Sequence, residues 1–142
     1  MSERAGYLIR RVHQISSALV LQRLADWGLT PMQFIIVLSL GDSGPVDQST
    51  VARMAAIDRS TAADVIRRLE SKGLLVREAG TVDKRQVVVR LSKSGQELLA
   101  RTQPLADAIN EEFLAPLARY EREFLATLLQ RLIDRHAALL PD

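Results

Sequence analysis

The sequence predicts a mainly α-helical fold that carries one small β-hairpin. Apolar residues recur at helical spacing along both ends of the 142-residue chain, as on helices that pack against a core. Two short runs rich in Val and Leu, residues 74–76 and 87–89, are instead typical of paired strands. A hydrophobic fraction of 47% in a chain of this length is enough for one domain with its own core.

Composition excludes several classes of protein. The chain has no cysteine, so it holds neither a disulfide framework nor a thiol redox switch. Its two histidines, His13 and His136, form no metal-ligand cluster, and no phosphate-binding glycine loop or hydrolase motif is present. No apolar run approaches the roughly 18 residues of a membrane span, and no signal-peptide pattern opens the chain. We therefore expect a cytoplasmic protein that is not an enzyme and has no cofactor or metal.

The first helix is predicted over residues 5–27, and Gly28 ends it. Its apolar face is unusually wide, which favours a helix covered on two sides, by its own domain and by a partner chain. The residues that mark this face are Leu8, Val12, Ile15 and Leu19.

A second helix begins at a strong start signal. Thr30 can cap it, Pro31 suits the first helical position, and Gln33 completes a capping box. The helix is expected to stop near Gly41, and a short strand is expected around residues 45–46.

A third, shorter helix is predicted over residues 48–56. The carboxylate of Asp47 caps its first turn. Val51 and either Met54 or Ala55 face inward.

A fourth helix starts at Asp58, another good cap, and ends at Gly73, which enters the left-handed conformation without strain. Ala62, Val65 and Leu69 give it an apolar inner face. A turn of three or four residues joins it to the third helix, and together they form a helix-turn-helix.

The outer face of this pair is polar and suits a DNA major groove. Small polar residues allow close approach, and long cations reach bases and phosphates. The predicted DNA contacts on the two helices are Gln48, Ser49, Arg59, Ser60, Thr61, Asp64, Arg67 and Arg68.

The hairpin that follows is predicted to be a wing with an exposed tip over residues 79–86. Lys84 and Arg85 are its predicted DNA contacts, with Arg85 entering a minor groove. Asp83 is expected to orient the Arg85 guanidinium through a bidentate pair.

Positive charge is concentrated on this part of the chain. Residues 59–93 hold nine Lys/Arg against four Asp/Glu, whereas residues 1–58 are balanced and residues 94–142 are acidic. The whole chain has a net charge of only +2. A local basic footprint of this kind is typical of phosphate binding.

The chain is helical again from Ser92. Pro104 is expected to kink this helix without ending it, because apolar spacing resumes at Leu105 and Ile109. A last helix is predicted over residues 121–138, with an apolar stripe of its own.

These features resemble the MarR family of winged helix-turn-helix regulators over about residues 5–138. The wing pattern is fairly specific: Asp83, Arg85, then Leu91, Ser92 and Gly95. The other residues that carry the resemblance are Leu29, Thr30, Pro31, Phe34, Gln48, Thr61, Leu69, Gly73, Leu74 and Leu75.

The resemblance implies a winged helix-turn-helix DNA-binding domain over residues 29–91 and a helical dimerisation region made of residues 1–28 and 92–142. It implies a homodimer on a pseudo-palindromic operator in double-stranded DNA. The expected function is that of a repressor released by a small aromatic carboxylate or its thioester.

The resemblance also suggests an effector site near the start of the chain. Arg10 or Arg11 would anchor the ligand carboxylate, His13 could add a hydrogen bond, and Phe34 could line the apolar wall. The alternative is that the two arginines and the histidine are surface or dimer-interface residues.

An alternative function is a winged helix used as an architectural DNA binder or for protein contact, without a small-molecule ligand. Sequence preference discriminates between the two functions. In an architectural protein, loss of Arg67 or Arg85 would weaken binding to specific DNA and to random DNA equally, whereas in a specific regulator it would weaken binding to specific DNA far more.

Overall fold

The computed structural model describes residues 4–140, and over this range the chain is mainly helical with one small antiparallel sheet, as predicted. The helices are α1 (Ala5–Arg23), α2 (Pro31–Ser43), α3 (Gln48–Met54), α4 (Arg59–Ser71), α5 (Lys93–Leu114) and α6 (Arg119–Arg135), and a 3-10 turn follows at Ala137–Leu139. The strands are β1 (Val46–Asp47), β2 (Leu75–Ala79) and β3 (Val87–Leu91). None of the helices in this range has the length and apolar character needed to cross a membrane.

The sheet places β3 between the other two strands, both antiparallel to it. β2 and β3 pair along their whole length and form the predicted hairpin. β1 adds only two residues, with Val46 opposite Val89 and Asp47 opposite Val88. Because α3 starts directly after β1, the sheet fixes where the helix-turn-helix begins.

Two apolar clusters hold the fold together. The larger one packs α2, α3 and α4 onto the sheet and supports the DNA-binding elements. The smaller one joins the end of α1 to α2 and α5, and so ties the winged domain to the terminal helices. The fully buried members of the larger cluster are Ile36, Val37, Val51, Ala62, Ile66 and Leu69. The buried members of the smaller one are Leu24, Leu29, Phe34 and Ile109.

The inner face of α4 differs by one position from the prediction. Ala62, Ile66 and Leu69 are completely buried, whereas Val65 is only half-buried at the side of the helix. Val65 and Ile66 are both apolar, and helical spacing from Leu69 is compatible with either. Val65 does pack against the larger cluster, but Ile66 is the more deeply buried residue and the prediction left it out. The packing of α4 against α2, α3 and the sheet decides between the two positions.

The predicted starts of α2, α3, α4 and α5 are confirmed. Thr30 and Gln33 form the capping box of α2, and Asp47, Asp58 and Ser92 each accept a backbone N–H from the first turn of their helix. Each of these caps is a local interaction that the sequence alone specifies.

Several helix ends were predicted less well. α1 ends at Arg23 and α3 at Met54, both earlier than expected, while α2 runs past Gly41 to Ser43. The left-handed glycine that ends α2 is Gly44, with φ 72°. α5 continues through Pro104 as predicted.

The last helix begins earlier than predicted. α6 starts at Arg119, and the Glu121 carboxylate accepts the Ala118 N–H at 2.8 Å. It ends at Arg135, where the chain passes into the 3-10 turn.

Candidate nucleic-acid interface

The first turn of α4 is fixed by Asp58. Its carboxylate accepts the Thr61 hydroxyl at 2.6 Å and the Thr61 N–H at 2.8 Å. These two bonds, the hydroxyl first, hold the pKa of the Asp58 carboxyl below its ordinary value. Thr61 was predicted to contact DNA, but its hydroxyl is committed to the cap. Arg59 and Ser60, in the same turn, are exposed.

The exposed face of α4 carries a small ion-pair group. The Asp64 carboxylate lies 3.4 Å from Arg67 Nη2 and 3.1 Å from Arg68 Nη2. Both guanidinium groups remain about two-thirds exposed, so they keep N–H donors available for phosphates or base edges. Asp64 thus holds two arginines on the face opposite the core.

Gln48 and Ser49 lie in the first turn of α3 and are half-buried. The Gln48 amide oxygen lies 3.5 Å from Nη1 of Arg77 on β2. The Gln48 side chain therefore points toward the wing. Its contact with DNA stays a prediction.

The wing tip presents Lys84 and Arg85 to solvent, and the Arg85 side chain is 96% exposed. Asp83 does not form the predicted bidentate pair with Arg85. One carboxylate oxygen of Asp83 accepts the Arg85 backbone N–H at 3.0 Å, while Nε of the side chain lies 3.7 Å away. The backbone N–H is the nearer partner because it is held in the turn, whereas a fully solvated guanidinium gains little from a single loose pair. Asp83 therefore shapes the turn and leaves the guanidinium extended.

Side chains at the root of the wing join it to both helices, and the sequence pattern did not identify them. Arg77 Nε donates to the Glu70 carboxylate on α4 at 2.9 Å. Gln86 Nε2 donates to the Asp47 carboxylate at 2.8 Å. The only signal available in the sequence was the opposite charge of Glu70 and Arg77, and nothing pointed to Gln86.

Of the four residues predicted to bind an effector, three lie exposed on one helix and the fourth is buried in an apolar cluster. Arg10, Arg11 and His13 lie on the first half of α1, where residues 4–15 are all exposed. Arg11 Nη1 donates to Gln14 on the same helix at 3.3 Å. Phe34 is 3% exposed and lies in the smaller apolar cluster.

A helix-turn-helix with an exposed basic face, beside a wing with a cationic tip, defines a DNA-binding regulator of the winged helix class. Comparison with known proteins agrees. The model of the MarR family matches residues 29–87. The transcriptional repressor NicR of Pseudomonas putida is 32% identical over 134 residues, which cover 94% of this chain and 85% of NicR. The chain belongs to the MarR family and is a transcriptional regulator of that type.

Two solved structures show the same architecture. BpsR of Bordetella bronchiseptica, described for the regulation of its DNA binding by 6-hydroxynicotinic acid, superposes with a TM-score of 0.86 at 33% identity, covering 94% of this chain and 96% of BpsR. A mutant MarR from Escherichia coli in complex with operator DNA superposes with a TM-score of 0.80 at 25% identity, covering 90% of this chain and 92% of that one.

Proposed function

We propose that the protein is a homodimeric repressor that binds a pseudo-palindromic operator and leaves it when a small aromatic acid, or the thioester of one, binds. The observation that carries this proposal is the uncovered apolar surface of the terminal helices. Within the described part of the chain, neither α1 nor α6 buries a single side chain, although both are rich in Leu, Ile and Val.

The apolar residues of these helices are well exposed, and large exposed apolar patches mark interaction surfaces. Those of α6 fall on one side of the helix at spacings of three and four residues. They are Phe124, Leu125, Leu128, Leu129, Leu132 and Ile133 on α6, and Tyr7, Leu8, Ile9, Val12 and Ile15 on α1. A second copy of the chain supplies an equally apolar and self-complementary partner.

A dimer also meets the geometric need of DNA. Two recognition helices related by a two-fold axis can enter successive major grooves, about 34–36 Å apart on one face of the duplex. Each copy would place α4 in a major groove and Arg85 near the adjacent minor groove, where a narrow groove concentrates negative potential. The operator would then have two-fold symmetric half-sites.

The effector site would be completed by the partner chain. Because residues 4–15 are exposed in one copy, Arg10, Arg11 and His13 can line a crevice only if a second chain covers α1. An arginine there would pair with a ligand carboxylate. The similarity to BpsR, whose DNA binding is regulated by 6-hydroxynicotinic acid, supports an aromatic acid as the class of effector. The ligand would release DNA by favouring a dimer whose two recognition helices are spaced wrongly for successive major grooves. Binding that form ten- to a hundredfold more tightly would shift the equilibrium toward it by about 1.4–2.8 kcal/mol.

Binding to specific and random DNA tests the DNA contacts. Arg67→Ala and Arg85→Ala are each expected to weaken binding to the upstream operator by about ten- to a hundredfold, since each good base or groove contact contributes about 1–3 kcal/mol. Binding to random duplex of the same length should fall much less. The measurement is fluorescence anisotropy at fixed salt.

The matched control is Arg119→Ala, which removes an exposed, ion-paired arginine at the start of α6. It should leave both affinities unchanged. Equal losses on operator and random DNA for Arg67→Ala and Arg85→Ala would instead support an architectural DNA binder.

A further inference from the structure

Gln86 lies where the wing tip, the sheet and α3 meet. Its backbone oxygen accepts the Gly80 N–H at 2.7 Å, and its own N–H donates to the Asp83 carbonyl at 3.1 Å. Its side-chain amide donates to the Asp47 carboxylate at 2.8 Å. One residue thus closes the tip through its backbone and anchors it through its side chain.

Asp47 accepts hydrogen bonds on both of its carboxylate oxygens. Oδ1 accepts the Thr50 N–H at 2.7 Å, which caps α3, and Oδ2 accepts the Gln86 side chain. The strand pairing between β1 and β3 stops at Asp47 and Val88. The Gln86 side chain therefore adds one more bond between the wing and the start of α3, just beyond the last residue pair of β1 and β3.

A second connection runs from β2 to the helices. Arg77 donates to Glu70 on α4 at 2.9 Å and approaches Gln48 on α3 at 3.5 Å. Both members of the Arg77–Glu70 pair have side chains more than one-third exposed, so the direct contribution of this pair to stability is small. The Arg77–Glu70 pair instead fixes the position of β2 relative to α4.

The tip that these bonds support is itself closed tightly. A Cβ atom at Gly80 would lie 2.6 Å from the Asp83 carbonyl oxygen, so only glycine fits there. The Asp83 carboxylate also accepts the Arg85 N–H. Lys84 and Arg85 are consequently presented from a turn with a fixed shape.

We propose that Gln86, through Asp47, is a positioning residue that sets the distance between the wing tip and the recognition helix α4 before DNA binds. This role rests on DNA binding by the wing and α4. A tip that is already held in place loses less conformational freedom on binding, so less of the favourable free energy of the Arg85 contact is lost to ordering the tip.

Gln86→Ala removes the side-chain donor and keeps the backbone bonds. It is expected to weaken operator binding by about three- to tenfold, the range for one hydrogen bond, and to lower the thermal midpoint by at most a few degrees. Asp47→Ser should give the same loss, because serine still caps α3 but is too short to reach Gln86. Gln103→Ala, at an exposed position of α5, is the control and should bind as wild type.

A double-mutant cycle with Arg85→Ala separates positioning from direct contact. If Gln86 acts through the tip, adding Gln86→Ala to Arg85→Ala should cost little more affinity, and the two losses will not add. Full additivity, or a Gln86→Ala variant that binds as wild type, would overturn the proposal.

A measurement without DNA tests the role of Gln86 separately from the proposed function as a repressor. The pKa of the Asp47 carboxyl is held below its ordinary value, first by the Thr50 N–H, then by the Thr50 hydroxyl, and less by Gln86. Nuclear magnetic resonance titration should show this pKa rising in Gln86→Ala, and an unchanged pKa would show that the link is absent in solution. Wild-type protein with no preference for its operator would contradict the proposed function, whereas a missing link would contradict only the role of Gln86.

Discussion

At the scale of single residues, Ala56 is in an unusual backbone conformation. It lies in the turn between α3 and α4 with φ 54°, in the left-handed region that side chains other than glycine rarely adopt. Its N–H still donates to the Arg53 carbonyl at 3.2 Å, and the following Ile57 N–H donates to Ala52 at 3.0 Å, so the turn is fully formed. The helix-turn-helix therefore imposes this conformation on alanine at an energetic cost.

Ala56→Gly is expected to stabilise the protein by up to about 1.5 kcal/mol. Relief of the left-handed conformation gains about 1–2 kcal/mol, and the greater entropy of unfolded glycine costs about 0.5–1 kcal/mol. Urea unfolding measures the change. Ala100→Gly, the same replacement at an exposed right-handed position of α5, should instead destabilise by about 1 kcal/mol. A loss of stability in both variants would show that the turn does not strain Ala56.

At the scale of elements, α6 is attached at its start and otherwise uncovered. Arg122 donates to Glu111 of α5 at 2.8 Å and to the Leu117 carbonyl at 3.0 Å, which fixes the corner between α5 and α6. Beyond this corner the apolar side of α6 faces solvent in the single chain. An element of this kind is stable when another apolar surface covers it.

Leu128→Asp is expected to dissociate the proposed dimer, because a carboxylate would be buried in an apolar interface. Sedimentation velocity at micromolar concentration should show a monomer, and operator affinity should fall by at least tenfold with the loss of the second half-site. Thr127→Asp adds the same charge on the other side of α6 and should remain dimeric. A Leu128→Asp variant that sediments like wild type would place the dimer interface elsewhere.

The elements also show what sequence patterns predict and what they miss. Caps at Thr30, Asp47, Asp58 and Ser92 were predictable because each is made within four residues of its helix start. The Asp47–Gln86 bond joins residues 39 positions apart, and no local pattern encodes it. The deeper burial of Ile66 than of Val65 could not be predicted for the same reason, because it depends on how α4 packs against other elements.

At the scale of the whole molecule, two regions are joined through a small apolar cluster. Phe34 and Leu29 of the winged domain meet Leu24, which caps the C-terminal end of α1, and Ile109 of α5 there. The Lys72 ammonium, at the end of α4, donates to the Gly28 carbonyl at 2.9 Å and so connects the recognition helix to the turn after α1. If two copies pack along α1 as proposed, a change in that packing would reach α4 through the Lys72 hydrogen bond and the apolar cluster.

The most direct test of the account is a titration of the wild-type protein against its own upstream DNA, followed by fluorescence anisotropy, with a panel of aromatic acids and their thioesters added in turn. We predict saturable binding by one dimer per site, at roughly 10⁻⁸–10⁻¹⁰ M at moderate salt, and its reversal by one class of acid. Arg10→Ala or Arg11→Ala should abolish the reversal and leave DNA affinity unchanged. Micromolar binding that is equal for random DNA, or tight binding that no acid reverses, would contradict the account of a ligand-released repressor.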